Sequence, residues 1–131
     1  ALVCGVLPES EGVIDAPIDR VAPDSFTRAV LPGGQRAVTR YRVEAALRDI
    51  SLVRLFPVTG RTHQLRVHMA ALGFPLAGDW LYGARDPRIA RPALHSAELW
   101  LTHPLTGTAL HLTAPLPEDM ARLLPEDMNK S

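Results

Sequence analysis

The chain has 131 residues, of which 47% are hydrophobic and 21% charged, and its formal net charge at pH 7 is zero. This composition is ordinary for a globular domain, so it excludes disorder of the whole chain and leaves room for one domain. No apolar stretch is long enough to span a bilayer, and no basic residue precedes the short apolar start as in a signal peptide. The single cysteine, Cys4, cannot close an intramolecular disulfide, which fits the cytoplasm as the expected location.

The first half of the chain is typical of short strands separated by turns. We expect strands over Ala1–Leu7 and Val13–Ile18, followed by a polar loop over Asp19–Arg36 that is rich in proline and glycine. Apolar and polar side chains then alternate, which predicts a strand over Thr39–Leu47. Arg48 and Asp49 fit a hairpin turn, so we expect a returning strand over Ser51–Val58.

The spacing becomes helical in the middle of the chain. Over Thr62–Leu72, the residues Leu65, Met69 and Leu72 form one apolar stripe. Gly73 directly follows and is placed to end the helix.

The last third of the chain again predicts paired strands. We expect strands over Leu94–Leu101 and Ala109–Ala114 and a short helix over Pro117–Leu124. Hairpins with single helices between them indicate an α+β fold with a mixed, mostly antiparallel sheet and short flanking helices.

One segment, Gly60–His68, carries an unusual density of hydrogen-bond donors at the start of the predicted helix. His63 and Arg66 are three residues apart, so they share a helix face, and that face is turned away from the apolar stripe. His63 and His68 lie about 140° apart around a helix, unlike the i, i+4 pairs of zinc-binding helices. We therefore expect no metal site here.

Thirteen of the fourteen basic residues are arginines, and Lys130 is the only lysine. The planar guanidinium suits the recognition of phosphate and carboxylate groups. A bias in the composition of the source genome explains the same observation without any function.

The donor-rich segment resembles the third sequence motif of the RluA-type pseudouridine synthases. The resemblance extends over nearly the whole chain, in order, and the matching segments are residues 1–5, 59–68, 72–79, 81–83, 94–96, 103–104 and 114–117. The central motif, Thr-Gly-Arg-Thr-His-Gln-Leu-Arg-Val-His, is the specific part.

The resemblance implies an enzyme that rearranges uridine in ribosomal or transfer RNA to its C-glycoside isomer, without metal or organic cofactor. It makes Arg66 the partner of a nucleophilic aspartate and places Leu65 under the uracil ring. It also makes Arg61, His63 and His68 candidate RNA contacts. Asp79 is expected to cap a turn.

The chain departs from the family in one respect, because it lacks the His-Arg-Leu-Asp motif that carries the nucleophile. We therefore expect residues 1–131 to be a single domain or fragment, the C-terminal portion of a catalytic domain, inactive alone. Arg66 would then lack a carboxylate, and Ala1–Leu7 would be an open sheet edge. Such an edge favours association with a complementary N-terminal half or a second copy.

Two other functions remain open at this point. The chain could be a non-catalytic RNA-binding module that keeps the groove without the chemistry. It could also be a structural scaffold, which would show no salt-dependent binding of RNA.

Overall fold

The computed structural model describes residues 1–125, so the last six residues of the predicted domain lie outside the description. The strands are β1 (Leu2–Cys4), β2 (Glu11–Asp15), β3 (Ile18–Arg20), β4 (Arg28–Val30), β5 (Val38–Ala46), β6 (Ile50–Pro57), β7 (Glu98–Thr102) and β8 (Ala109–Thr113), and the helices are α1 (Gln64–Leu72) and α2 (Glu118–Ala121). The expected α+β class is confirmed.

A four-stranded antiparallel sheet in the order β1-β6-β5-β2 forms the centre of residues 1–93. The long β5–β6 hairpin follows from the alternation in the sequence, because Thr39, Tyr41 and Val53 are buried while Arg40 and Arg42 are exposed. Both predicted strands are confirmed to within one residue at each end.

Strand β1 is not an open edge. On one side it pairs with β6. On the other side, the Cys4 N–H donates to the Pro75 carbonyl at 2.8 Å, and the Leu2 N–H donates to Ala93 at 3.0 Å. Ala77 returns a hydrogen bond to the Leu2 carbonyl. The expectation of an open edge at Ala1–Leu7 is therefore wrong, because later segments of the same chain cover the strand.

The segment Asp19–Arg36 is also more regular than expected. Strands β3 and β4 pair antiparallel, with Ile18 opposite Val30 and Arg20 opposite Arg28. Three-residue strands are too short to display an alternating pattern, and the seven residues between them contain typical turn formers. The sequence therefore predicts a loop where the structure has a hairpin.

Helix α1 begins two residues later than expected and buries a different face. Gln64, Val67 and His68 are buried together with Met69, whereas Leu72 is 39% exposed. The predicted apolar stripe is thus wrong in part, because polar side chains occupy much of the contact with the strands. The predicted end is confirmed: Gly73 has a φ of 100°, and its N–H donates to Ala70.

A buried polar network attaches this face of α1 to the neighbouring segments. The Gln64 side-chain amide donates to the Thr39 hydroxyl at 3.0 Å, and Thr39 lies 2.7 Å from Nδ1 of His68. Nε2 of His68 lies 2.9 Å from the Ala16 carbonyl. The Thr59 hydroxyl donates to the side-chain oxygen Oε1 of Gln64 at 2.6 Å. Each of these buried polar groups thus has a partner, as a stable interior requires.

Among the described residues, 94–125 belong to a second compact unit. In it, β7 and β8 make the predicted hairpin, and Trp100 stacks on His111 with ring centroids 4.4 Å apart. Met120 of α2 is fully buried. Neither helix in the described part of the chain has the length and hydropathy needed to cross a bilayer.

Candidate functional site

An ion pair fixes the orientation of one arginine of α1, Arg66. The Arg66 guanidinium donates twice to Asp79, from Nε to Oδ2 at 2.9 Å and from Nη2 to Oδ1 at 2.8 Å. Asp79 is fully buried, and the Arg66 side chain is 16% exposed. Such a fork-to-fork pair specifies geometry as well as charge.

Asp79 also organises the loop that follows it. Its Oδ1 accepts the backbone N–H groups of Leu81 and Tyr82, both at 3.2 Å, so the expected turn-capping role is confirmed. Burial acts to raise the pKa of Asp79, but the hydrogen bonds from Arg66 and from the two backbone groups outweigh it. The net pKa of Asp79 lies below its usual value, and the carboxylate stays ionised. The expectation that Arg66 lacks a carboxylate in this chain is wrong, because Asp79 supplies one.

Tyr82 joins the two residues that the sequence places on one helix face. Its hydroxyl lies 2.8 Å from Nδ1 of His63, and Arg66 lies over its ring, 5.1 Å from the centroid. The same hydroxyl accepts the backbone N–H of Arg28 at 3.0 Å. Because it accepts from Arg28, its own hydrogen is free to donate to His63.

His63 holds a backbone conformation that L-residues rarely adopt. It precedes α1 with φ 55° and ψ 21°, and it is the only non-glycine residue with positive φ among residues 1–125. Such strain is held in place by its surroundings and is concentrated at functional sites. Here the hydrogen bond to Tyr82 is the contact that holds the ring.

The surroundings of His63 keep its imidazole neutral near pH 7. Burial lowers its pKa, the positive charges of Arg66 and Arg28 lower it further, and Asp79 opposes them. A neutral ring accepts a hydrogen bond at Nδ1, which agrees with the contact from Tyr82.

The structure separates the predicted RNA contacts into two groups. Arg61 is exposed and His63 is partly exposed, and both lie at the start of α1. His68, in contrast, is fully buried, with both ring nitrogens bonded inside the protein. The prediction that His68 contacts RNA is wrong, because its position on α1 faces the sheet. Leu65 is half-buried and precedes Arg66 on the helix.

Sequence reasoning missed three residues of the site. It gave Asp79 only the role of a turn cap, and it gave Tyr82 and Arg28 no role in the site. The bidentate contact of Asp79 joins residues 13 apart along the chain, and the Tyr82–Arg28 contact joins residues 54 apart. The periodicity of the sequence predicts only local structure, so it cannot predict contacts between residues this far apart.

The site can offer a positively charged guanidinium in a fixed position, with a neutral imidazole and a tyrosine hydroxyl as hydrogen-bonding groups beside it. Within residues 1–125, no three histidine, cysteine or acidic side chains lie together as ligands for a metal ion.

The family model described as RNA pseudouridylate synthase matches residues 2–71. The chain is 48% identical over 124 residues to the uncharacterized RNA pseudouridine synthase YjbO of Bacillus subtilis (strain 168), covering 95% of this chain and 44% of that protein. It is 45% identical over 133 residues to ribosomal large subunit pseudouridine synthase D of Nitrosomonas europaea, covering 95% and 38%.

A solved structure shares the fold. Human RNA pseudouridylate synthase domain containing 1 superposes with a TM-score of 0.75 at 32% identity, covering 88% of this chain and 52% of that one. The chain thus spans 38–44% of the length of the two curated relatives.

Proposed function

The chain belongs to the RNA pseudouridylate synthase family, and from this we propose that it works as part of an enzyme that isomerises uridine to pseudouridine in ribosomal or transfer RNA. In this reaction the bond between N1 of uracil and C1′ of ribose breaks and a bond between C5 and C1′ forms. The hydrogen on C5 leaves as a proton to water, and N1 takes up a proton from water. We place the reaction in the cytoplasm, where the free thiol of Cys4 is compatible with a reducing environment.

The observation that carries the proposal is the way Arg66 is held. Asp79 occupies its Nε and Nη2, while Nη1 has no hydrogen-bond partner among residues 1–125. A guanidinium presents five N–H donors in one plane, so a second carboxylate can bind along its remaining edge. Arg66 is thereby oriented in advance for the nucleophilic aspartate.

In this proposal that aspartate comes from outside these 131 residues. A complementary N-terminal half of the catalytic domain or a second chain would supply it. An arginine beside the carboxylate keeps it ionised and aligned for attack.

The neighbouring residues have distinct roles in the proposal. Leu65 packs under the extruded uracil, because it is apolar, half-buried and adjacent to Arg66. Arg61 and His63 lie at the start of the same helix, on the side where the backbone of the RNA approaches.

The test is tritium release from RNA labelled at C5 of uridine, with the full-length gene product that contains this sequence. We expect release from ribosomal or transfer RNA, and we expect Arg66→Gln to lower kcat by at least about a hundredfold, as the loss of a positioned charge does in other enzymes. Arg48→Gln is the matched control, because Arg48 is exposed in the turn after β5.

The fold of Arg66→Gln is checked separately, by circular dichroism and by RNA binding. A folded Arg66→Gln protein with the activity of Arg48→Gln would contradict the role of Arg66. If no ribosomal or transfer RNA releases tritium but RNA still binds, the chain is a binding module and the proposal fails.

A further inference from the structure

A cavity of about 310 Å³ lies beside the start of α1. It has about ten times the ~30 Å³ that a water molecule takes up in the liquid. Its lining residues come from the β3–β4 hairpin and from the segments before β5 and α1, and they are Ile18, Asp19, Arg20, Arg28, Gln35, Arg61 and Thr62.

The charge in this cavity is positive. Three arginines face one carboxylate, Asp19, which already accepts the backbone N–H of Arg20 at 2.8 Å. Arg20 uses Nη1 on the Pro23 carbonyl, and Arg61 uses Nε on the Arg36 carbonyl. The other guanidinium N–H groups of these two arginines have no partner among residues 1–125.

Of the three arginines, Arg28 has a buried N–H group without a hydrogen-bond acceptor in the described part of the chain. Its Nε is buried without a hydrogen-bond partner, alone among the side-chain polar atoms of the described residues. A buried donor without an acceptor costs free energy, and more so when it carries charge. No acceptor among residues 1–125 reaches this Nε, and an anion bound there would accept its hydrogen bond.

The register of the hairpin places two of these arginines opposite each other. Arg20 and Arg28 are direct partners on β3 and β4, where the Cβ atoms lie about 5 Å apart. Like charges at such positions destabilise a hairpin. An anion bound between them would remove that cost.

The cavity is connected to the candidate site through one residue. The backbone N–H of Arg28 donates to the Tyr82 hydroxyl, which also contacts His63, and the ring of Tyr82 lies under Arg66. A ligand on the Arg28 side chain would therefore be held by a residue whose backbone is bonded to Tyr82 of the candidate site.

We propose that this cavity binds a phosphate group, held by the side chains of Arg20, Arg28 and Arg61. The proposal rests on the proposed function and deepens it: the phosphate is a phosphodiester of the RNA strand that carries the target uridine. Guanidinium forks match phosphate oxygens in geometry and charge.

The experiment measures how the RNA affinity of the chain depends on salt. A fluorescein-labelled RNA stem-loop containing uridine is titrated at several KCl concentrations. We expect Arg28→Gln and Arg20→Gln each to weaken binding about tenfold, and to reduce the slope of log K against log salt by about 0.7 to 0.9, as the loss of one phosphate contact does.

Arg48→Gln is the matched control, because it removes the same charge from the far end of the β5–β6 hairpin. Strand β5 has nine residues, so Arg48 lies about 30 Å from the end of β5 that is nearest to the cavity. We expect this variant to keep the affinity and slope of the unsubstituted chain. Equal effects of Arg28→Gln and Arg48→Gln would overturn the proposal.

A second titration distinguishes the source of the phosphate. Inorganic phosphate is added to the isotope-labelled chain, and the Arg28 and Tyr82 amide signals are followed by nuclear magnetic resonance. Weak phosphate binding that Arg28→Gln abolishes, together with the weakened RNA binding of that variant, supports a phosphodiester site.

Two results would overturn the proposal. One is phosphate binding that persists in Arg28→Gln, and the other is tight phosphate binding while Arg28→Gln leaves RNA binding unchanged. If Arg28→Gln does not fold, Arg20→Gln decides, because Arg20 is exposed.

The two proposals fail separately. Tritium release with RNA binding indifferent to Arg20 and Arg28 rejects the phosphate site and leaves the isomerase intact. Arg28-dependent RNA binding without tritium release rejects the isomerase and leaves the phosphate site.

Discussion

A single carboxylate, Asp79, connects the stability of this protein to its candidate site. It is buried, ionised and bound to Arg66 and to two backbone N–H groups. A buried pair contributes little compared with an apolar replacement of both partners, but removing one partner leaves the other uncompensated. Substituting Asp79 alone therefore measures the cost of leaving the Arg66 charge without its partner.

We expect Asp79→Asn to lower the free energy of unfolding by about 3 kcal/mol at pH 7, since it leaves the Arg66 charge without its partner. The folded pKa of Asp79 is below the ordinary value of 3.8. Its ionised form therefore stabilises the fold above about pH 4, and that contribution disappears as the pH falls through the lower, folded pKa. Urea unfolding of both proteins between pH 7 and pH 2 measures the difference.

Asp49→Asn is the control, because Asp49 is 63% exposed and pairs with Arg88 at the surface. An exposed pair is worth at most about 1 kcal/mol. A loss in Asp79→Asn that is no larger than in Asp49→Asn, or that does not shrink in acid, contradicts the buried pair.

At the scale of elements, the sequence predicts what is periodic. Strand β5 alternates over nine residues, and α1 ends at a glycine with positive φ, so the β5–β6 hairpin and the end of α1 were predicted closely. The β3–β4 hairpin is too short to have a period. The buried face of α1 carries Gln64 and His68, and a search for apolar stripes cannot find it.

The candidate site divides in the same way. Arg66, His63 and Arg61 lie within one local motif, so the resemblance identified them together. Tyr82 and Arg28 reach the site through tertiary contacts, and only the folded chain reveals them.

The loop before the candidate site offers a test of packing. Gly78 has a φ of 76°, and a Cβ there would overlap the carbonyl oxygen of Arg91. Gly33 has a similar φ of 81°, but a Cβ there would meet open space. We expect Gly33→Ala to cost about 1 to 2 kcal/mol, from backbone conformation alone. Gly78→Ala should cost about 1 to 3 kcal/mol more because of the overlap.

Urea unfolding at pH 7 measures both variants of this pair. Equal losses would mean that the backbone around Arg91 yields freely. In that case the loop carrying Asp79 would not be rigidly positioned.

At the scale of the whole molecule, charge gives no long-range repulsion between copies. The chain has 14 basic and 14 acidic residues and a sequence pI of about 7.2. It also exposes large apolar side chains, including Phe26 at 86% and Leu105 at 89%. A protein with little net charge and exposed apolar area tends to associate.

We therefore expect the mass of the chain in sedimentation to rise with concentration at pH 7.2, and to rise less at pH 9, where the net charge is negative. Arg48→Glu lowers the net charge by two at an exposed position and should reduce association at pH 7.2. A monodisperse monomer at every concentration and both pH values would contradict this expectation.

The polar network beneath α1 has one further consequence, for the rotation of that helix about its own axis. The Ala16 carbonyl can only accept, so Nε2 of His68 carries the hydrogen, and in a neutral ring Nδ1 then accepts from the Thr39 hydroxyl. The Thr39 oxygen then accepts from the side-chain amide of Gln64, so the direction of each of these hydrogen bonds is fixed. Turning the helix by one residue, about 100°, would break all of these bonds at once. Arg66 lies about 200° around the helix from Gln64. By fixing the rotation of α1, the buried network therefore also fixes the direction in which the Arg66 side chain leaves the helix.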